Sequence, residues 1–182
     1  SANYYKNTNQ GNNNIYLLHT RLNIIDIDDR SNQPFHLGPY VLVFNGEIYN
    51  FLEIRNILIK KGIQFHTSGD TEVLANALMV WGLDALDKLE GMWAFALYNK
   101  VTEELILCRD RFGEKPLYFI QQRDGIYFSS ETNSLFTLLG KRPDINMNQV
   151  HRYLINGYKS LYKGKDTFYE EVKEVSSGTW IK

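Results

Sequence analysis

The 182 residues contain a single cysteine, Cys108, which excludes an internal disulfide and any zinc cluster built on cysteine. Long apolar runs are missing as well. The longest, Met92 to Tyr98, falls far short of the roughly 20 residues a membrane-spanning helix needs, so no membrane partner is expected. Neither sign of charge prevails: 20 Lys+Arg against 21 Asp+Glu leave a formal charge of -1, too little field to gather phosphates, and no nucleic-acid partner is expected. His19, His36, His66 and His151 are scattered without metal-ligand spacing, so no metal site is expected. No basic-then-apolar stretch reads as a signal peptide, which makes the cytoplasm the expected location.

What is present suits a packed globular chain. With 43% hydrophobic and 23% charged residues, a core can form, and the length matches one domain at roughly 150 residues per domain. Residues 1–14, SANYYKNTNQGNNN, hold six Asn and read as a loop or frayed terminus, because they offer little apolar surface to offset the entropy of ordering. From Ile15, IYLLHTRLNIIDI is aliphatic enough for one or two strands, and Tyr40 to Phe44 reads as a buried strand ending at an Asn45-Gly46 turn. Helical spacing follows over Asn50 to Lys61, with Asn50 and Glu53 at capping-box distance, and over 71–81 before Gly82. A shorter helix is expected over Leu83 to Leu89. The period then changes to two: Met92–Asn99, Leu105–Arg109, Leu117–Gln121 and Gly125–Ser129 read as one antiparallel meander. Helices over Glu131–Leu139 and Met147–Asn156 follow, the second capped by Asn146. Strands and helices in blocks, without regular alternation, imply an α+β fold.

Three polar sites interrupt apolar segments: Arg21, Asn45-Gly46-Glu47 and Asp70. Singly, each has an ordinary reading, as an edge-strand charge, a turn and a helix-dipole partner. Together they would suit an α-amino acid. A guanidinium takes its carboxylate, carboxylates take its ammonium, and a side-chain amide with a backbone N–H stabilises an oxyanion. Spacing alone does not show that they converge. Arg109-Asp110-Arg111 reads as strand-end ion pairing, and Tyr158 to Lys165, aromatics interleaved with lysines, as a solvated loop with core-anchoring tyrosines. Cys108, inside Leu105 to Arg109, reads as a small buried hydrophobe.

The segments RLNIIDI (21–27), FNGEIYNFLEIR (44–55), SGDTEVL (68–74), LEGMWAFALYN (89–99) and RDRFGEKPLYF (109–119) resemble the glutaminase domain of the asparagine synthetase family, the class II glutamine amidotransferases. So do His19 and Ser130-Glu131. The resemblance runs in order from about residue 17 to the C-terminus. It implies an N-terminal-nucleophile hydrolase-like αββα sandwich, two antiparallel sheets between helical layers, for residues 15–182. It also implies hydrolysis of glutamine to glutamate and ammonia, with the ammonia consumed by a synthetase domain of the same polypeptide. Carried over by position, Arg21 matches the arginine that holds the substrate α-carboxylate, with backbone groups of Leu22, Asn23, Ile24 and Ile25 beside it. Asn45 and Gly46 match the oxyanion hole, and Glu47 and Asp70 the acidic residues near the α-amino end.

The resemblance also implies a nucleophilic cysteine at the mature N-terminus, whose α-amine serves as base, where this sequence begins Ser-Ala-Asn-Tyr. A fragment of a longer enzyme is the expected account. The alternative is a degenerate member that keeps an amino-acid-binding or scaffold role without catalysis. No Ser-Gly-Gly-x-Asp-Ser pyrophosphate loop occurs, so ATP and Mg are expected only in a synthetase domain outside these residues, and no cofactor in this one.

Overall fold

In the computed structural model, which describes residues 2–8, 14–20, 29–158 and 164–182, Ala2–Thr8 (β1) runs antiparallel to Asn14–Thr20 (β2). Residues 2–8 of the expected loop at the start of the chain therefore form a strand, and residues 1 and 9–13 lie outside the described residues. The strand's asparagines conceal a period of two: Tyr5 and Asn7 lie half-buried on one face while their neighbours are exposed, and Tyr5 pairs with the fully buried Leu17. Tyr5 also packs edge-on against His36, ring centroids 5.3 Å apart. One aromatic face is enough to hold a strand that composition alone does not suggest.

The one domain expected from length forms two compact units that divide within a strand, between Ile106 and Leu107. In the first, Phe35–Leu37 (β3), Tyr40–Ile48 (β4), Gly91–Asn99 (β5) and the first half of Glu104–Arg109 (β6) lie side by side in that order. β4 pairs with β5 along its whole length, Tyr40 opposite Asn99 and Ile48 opposite Gly91. Val41 to Phe44 and Trp93 to Tyr98 are buried on both faces, which is why both are apolar runs and why the period of two expected over Met92–Asn99 does not hold there. Phe51–Lys60 (α1) buries Ile54 and Leu58 one turn apart, and Gly62 follows its end. Asp70–Trp81 (α2) is buried all round from Asp70 to Leu78, as a helix inside a core must be. The expected short helix after it is a 3-10 segment, Gly82–Lys88.

In the second unit, Trp180–Ile181 (β10) pairs with Cys108 and Leu107 of β6. Tyr118–Gln122 (β7) lies between Gly125–Ser129 (β8) and Lys173–Glu174 (β9). The four expected strands are thus not one meander: β7 and β8 belong to a sheet separate from β5 and β6. Thr132–Leu139 (α3) and Met147–Asn156 (α4) complete the unit, with Asn146 capping α4 by accepting from the Gln149 N–H at 3.1 Å. Ile120, Leu135 and Val172 form its core. The break between β6 and β7 has a specific cause. Asp110, fully buried, accepts N–H bonds from Phe112, Glu114 and Lys115, all at 3.0 Å, and Arg109 pairs with Glu174 at 2.9 Å while donating to the carbonyls of Gly113, Lys115 and Val175. This network folds residues 109–115 into a tight loop, the supporting role expected of that charge cluster. Tyr158 is exposed rather than core-anchoring, and residues 159–163 of the same segment lie outside the described residues.

Asn50 does not cap α1. Its side chain bridges to the segment before β5, donating to the Lys88 carbonyl at 2.9 Å and accepting from the Glu90 N–H at 3.0 Å. A tertiary partner has outcompeted the local capping box. On α2, Glu72 is 1% exposed and takes the N–H groups of His66 and Thr67 and the Thr67 hydroxyl at 2.7–3.0 Å. Burial pushes its carboxyl up, but these hydrogen bonds outweigh burial and hold it below the usual glutamate value. Glu72→Gln should therefore lower stability at pH 7, by on the order of 2–4 kcal/mol, since several donors lose a charged acceptor. A group with a depressed pKa stabilises above its unfolded value and loses that contribution as pH falls through the folded one. The gap between variant and wild type should accordingly narrow below about pH 4.5 in thermal melts.

Candidate functional site

The strand β4 does not turn at Asn45-Gly46, as the dipeptide suggests; it continues through both residues to Ile48. Glycine is required there by close approach. A Cβ on Gly46 would meet the Met92 carbonyl oxygen and lie 2.8 Å from Phe44 Cε2 and from Trp93 Cα, and a Cβ on Gly91 would meet the Glu47 carbonyl oxygen. The ends of β4 and β5 are thus pressed together by two glycines. Gly46→Ala should cost about 1–3 kcal/mol of stability through overpacking against backbone that has no flexible end to yield, measured as a fall in melting temperature.

Alternation places the side chains. Val41 and Val43 are buried, whereas Asn45 is exposed and Glu47 half-buried on the same face, so this face of β4 opens to solvent at its last two residues. Alternation also sorts the main chain. Phe44, Gly46 and Ile48 turn their N–H groups to the edge of β4 away from β5. At Phe44 that edge is closed by side chains: the N–H donates to Gln33 Oε1 at 2.5 Å, and the carbonyl lies 3.0 Å from Gln33 Nε2 and 3.1 Å from His19 Nε2. At Ile48 it is closed by Asp70, whose Oδ2 accepts the N–H at 3.0 Å. Gly46 stands between these two closures.

Asp70 opens α2 and is 7% exposed. Burial raises its pKa above the usual aspartate value; the N–H groups of Ile48, Asp70 and Thr71 pull it down, and the charge of Glu47 pushes it up. The charge of Glu47 thus adds to the cost of a charge on Asp70 at the end of β4, a repulsion that a nearby cation would relieve. The structure brings Asn45, Gly46, Glu47 and Asp70 together. Arg21, Leu22, Asn23, Ile24 and Ile25 lie outside the described residues. Cys108 is buried in β6 at 1% exposure, as its flanking aliphatic residues suggest.

Sequence reasoning passed over Gln33 and Glu72. Each is a buried polar side chain serving main-chain groups; the signal for Glu72 was a carboxylate on an otherwise apolar helix, whereas Gln33, inside the polar stretch from Asp28 to Pro34, gave none.

Residues 6–182 match the family model described as glutamine amidotransferase domain. An asparagine synthetase [glutamine-hydrolyzing] 1 of Bacillus subtilis is 44% identical over 117 residues, 63% of this chain and 18% of its own length. A second from the same organism, asparagine synthetase [glutamine-hydrolyzing] 2, is 30% identical over 165 residues, 88% of this chain and 22% of its own. The chain thus spans about a fifth of the length of these relatives. Among solved structures, a glutamine phosphoribosylpyrophosphate amidotransferase from B. subtilis superposes with a TM-score of 0.59 at 26% identity, over 69% of this chain and 29% of that one. With helices and antiparallel sheets shared in this way, the fold is of the expected α+β, N-terminal-nucleophile hydrolase type. The chain belongs to the glutamine amidotransferase domain family.

Proposed function

We propose that this chain is the glutaminase part of an asparagine synthetase-like amidotransferase, which hydrolyses glutamine and passes ammonia to an ATP- and Mg-dependent, amide-forming domain of the same polypeptide. The observation that carries this reading is the end of β4, where an exposed carboxamide, Asn45, and the N–H edge at Gly46 stand next to the Glu47–Asp70 carboxylate pair. The pair suits the α-ammonium of glutamine, and Arg21 would take its α-carboxylate. Attack of a thiolate on the side-chain amide carbon forms a tetrahedral oxyanion, which Asn45 Nδ2 and the Gly46 N–H would stabilise. Collapse expels ammonia and leaves a thioester, and water then releases glutamate and restores the thiol.

The thiol is not Cys108, which is buried in β6. Since the 182 residues hold no other cysteine, they should not hydrolyse glutamine by themselves. The test is glutamine turnover by the full-length gene product beside a form with the family's N-terminal cysteine changed to alanine. The alanine form is expected to lose turnover; equal rates, or an inactive wild type, would reject the reading.

A further inference from the structure

We propose that Gln33 is a positioning residue for the oxyanion donors, its side chain acting as the missing rung of a β-ladder. The register of β3 on β4 pairs Leu37 with Tyr40, His36 with Val41 and Phe35 with Leu42. Continued by two rungs, it sets Pro34 opposite Val43 and Gln33 opposite Phe44. In that register the N–H of residue 34 would point away from β4, the position a proline can hold on an edge strand, and β3 ends at Phe35. The edge of β4 would then lose its partner one residue before Asn45.

The carboxamide of Gln33 closes that gap. It carries an acceptor and donors in one plane, as a peptide group does, and meets both polar groups of Phe44: the N–H donates to Oε1 at 2.5 Å, and Nε2 donates to the carbonyl at 3.0 Å. Only one orientation of the amide satisfies both, since the flipped one sets donor against donor and acceptor against acceptor. At 4% exposure, Gln33 has little water to substitute for either bond, and His19 Nε2 holds the same carbonyl at 3.1 Å. The clasped residue is bonded directly to Asn45 and is two from Gly46. Together with Asp70 at Ile48, Gln33 fixes the strand on either side of the pair it would aim. Donors to an oxyanion need placement to within about 0.5 Å, and a displacement of about 1 Å costs on the order of 100-fold in rate.

The inference rests on the oxyanion role proposed above for Asn45 and Gly46, so its experiment carries a control for that role. In the full-length gene product, Gln33→Leu removes both bonds, and Gln33→Glu keeps the acceptor but sets a carboxylate against the Phe44 carbonyl. Either variant should lower kcat for glutamine at least tenfold with KM held within about threefold, while amide synthesis from supplied ammonia stays unchanged. Gln33→Glu supplies a second readout that does not depend on how well Gln33→Leu folds. Protonation of the introduced carboxyl restores a donor to the Phe44 carbonyl, so kcat of this variant relative to wild type should climb as pH is lowered. If Asn45→Ala lowers kcat and Gln33→Glu does not, or if its relative kcat is flat with pH, the positioning role falls alone. If Asn45→Ala leaves kcat intact, the oxyanion reading falls and this inference with it.

Discussion

Replacing Asn45 with alanine in the full-length gene product is expected to lower kcat for glutamine hydrolysis by about 100-fold or more, with KM changed by no more than about threefold. The split follows from where the residue sits. Asn45 shares the solvent-open face of β4 with Glu47, but its neutral carboxamide is the partner assigned to neither charged end of glutamine, so it adds little to holding the ground state. Its amide matters when the carbonyl oxygen gains charge, because a fixed donor costs no reorganisation at that moment. The folded chain should tolerate the change, since an exposed side chain is removed and the β4–β5 ladder is main chain. Unchanged melting with a loss in kcat is the expected pair of results. If KM rose and kcat held, Asn45 would be a binding residue and the assigned donor would have to be sought elsewhere.

The segments that carry this site were legible because they combine chemistry with unusual context. A carboxamide and a carboxylate at the end of a run such as Val41 to Phe44 stand out against the pattern, and Asp70 stands out at the head of a helix. What remained illegible was long-range. Asn-Gly is a turn signal by local propensity, and only the approach of Met92 and Trp93 to Gly46 shows that the glycine serves a strand crossing instead. Asn50 and Glu53 have capping spacing, but the Lys88 and Glu90 main-chain groups that claim Asn50 lie about forty residues away in sequence. The strand at Ala2–Thr8 was hidden for the opposite reason: composition averages over residues, whereas one face of the segment, with Tyr5 opposite Leu17 and its ring against His36, finds its partners across the sheet. Gln33 could be seen only once the register of β3 was known. In each case a tertiary partner overrode a local rule, and single-sequence reading has no access to partners.

Asp70→Asn should act in opposite directions on binding and on stability. On binding, loss of one charged partner for the glutamine α-ammonium should raise KM by about 10- to 100-fold, the equivalent of roughly 1.5–3 kcal/mol for a charge-assisted hydrogen bond, with kcat at saturating glutamine little altered. On stability, the variant should gain. Burial raises the Asp70 pKa and the Glu47 charge adds to it, only partly offset by the N–H groups of Ile48, Asp70 and Thr71. Between the usual aspartate value of 3.8 and the raised folded value, the native state binds more protons than the unfolded chain, so stability falls as pH rises through that window. Above it the cost of the buried charge is fully present, and a neutral asparagine escapes it. The melting temperature of the variant should therefore exceed that of wild type at pH 7, and the difference should shrink as pH is lowered toward 4; Glu72 is common to both proteins and cancels. A constant difference would mean that Asp70 carries no strain from its burial. Glutamine supplies the remaining discriminator: an ammonium between the two carboxylates relieves their repulsion only in wild type, so saturating glutamine should raise the melting temperature of wild type more than that of the variant.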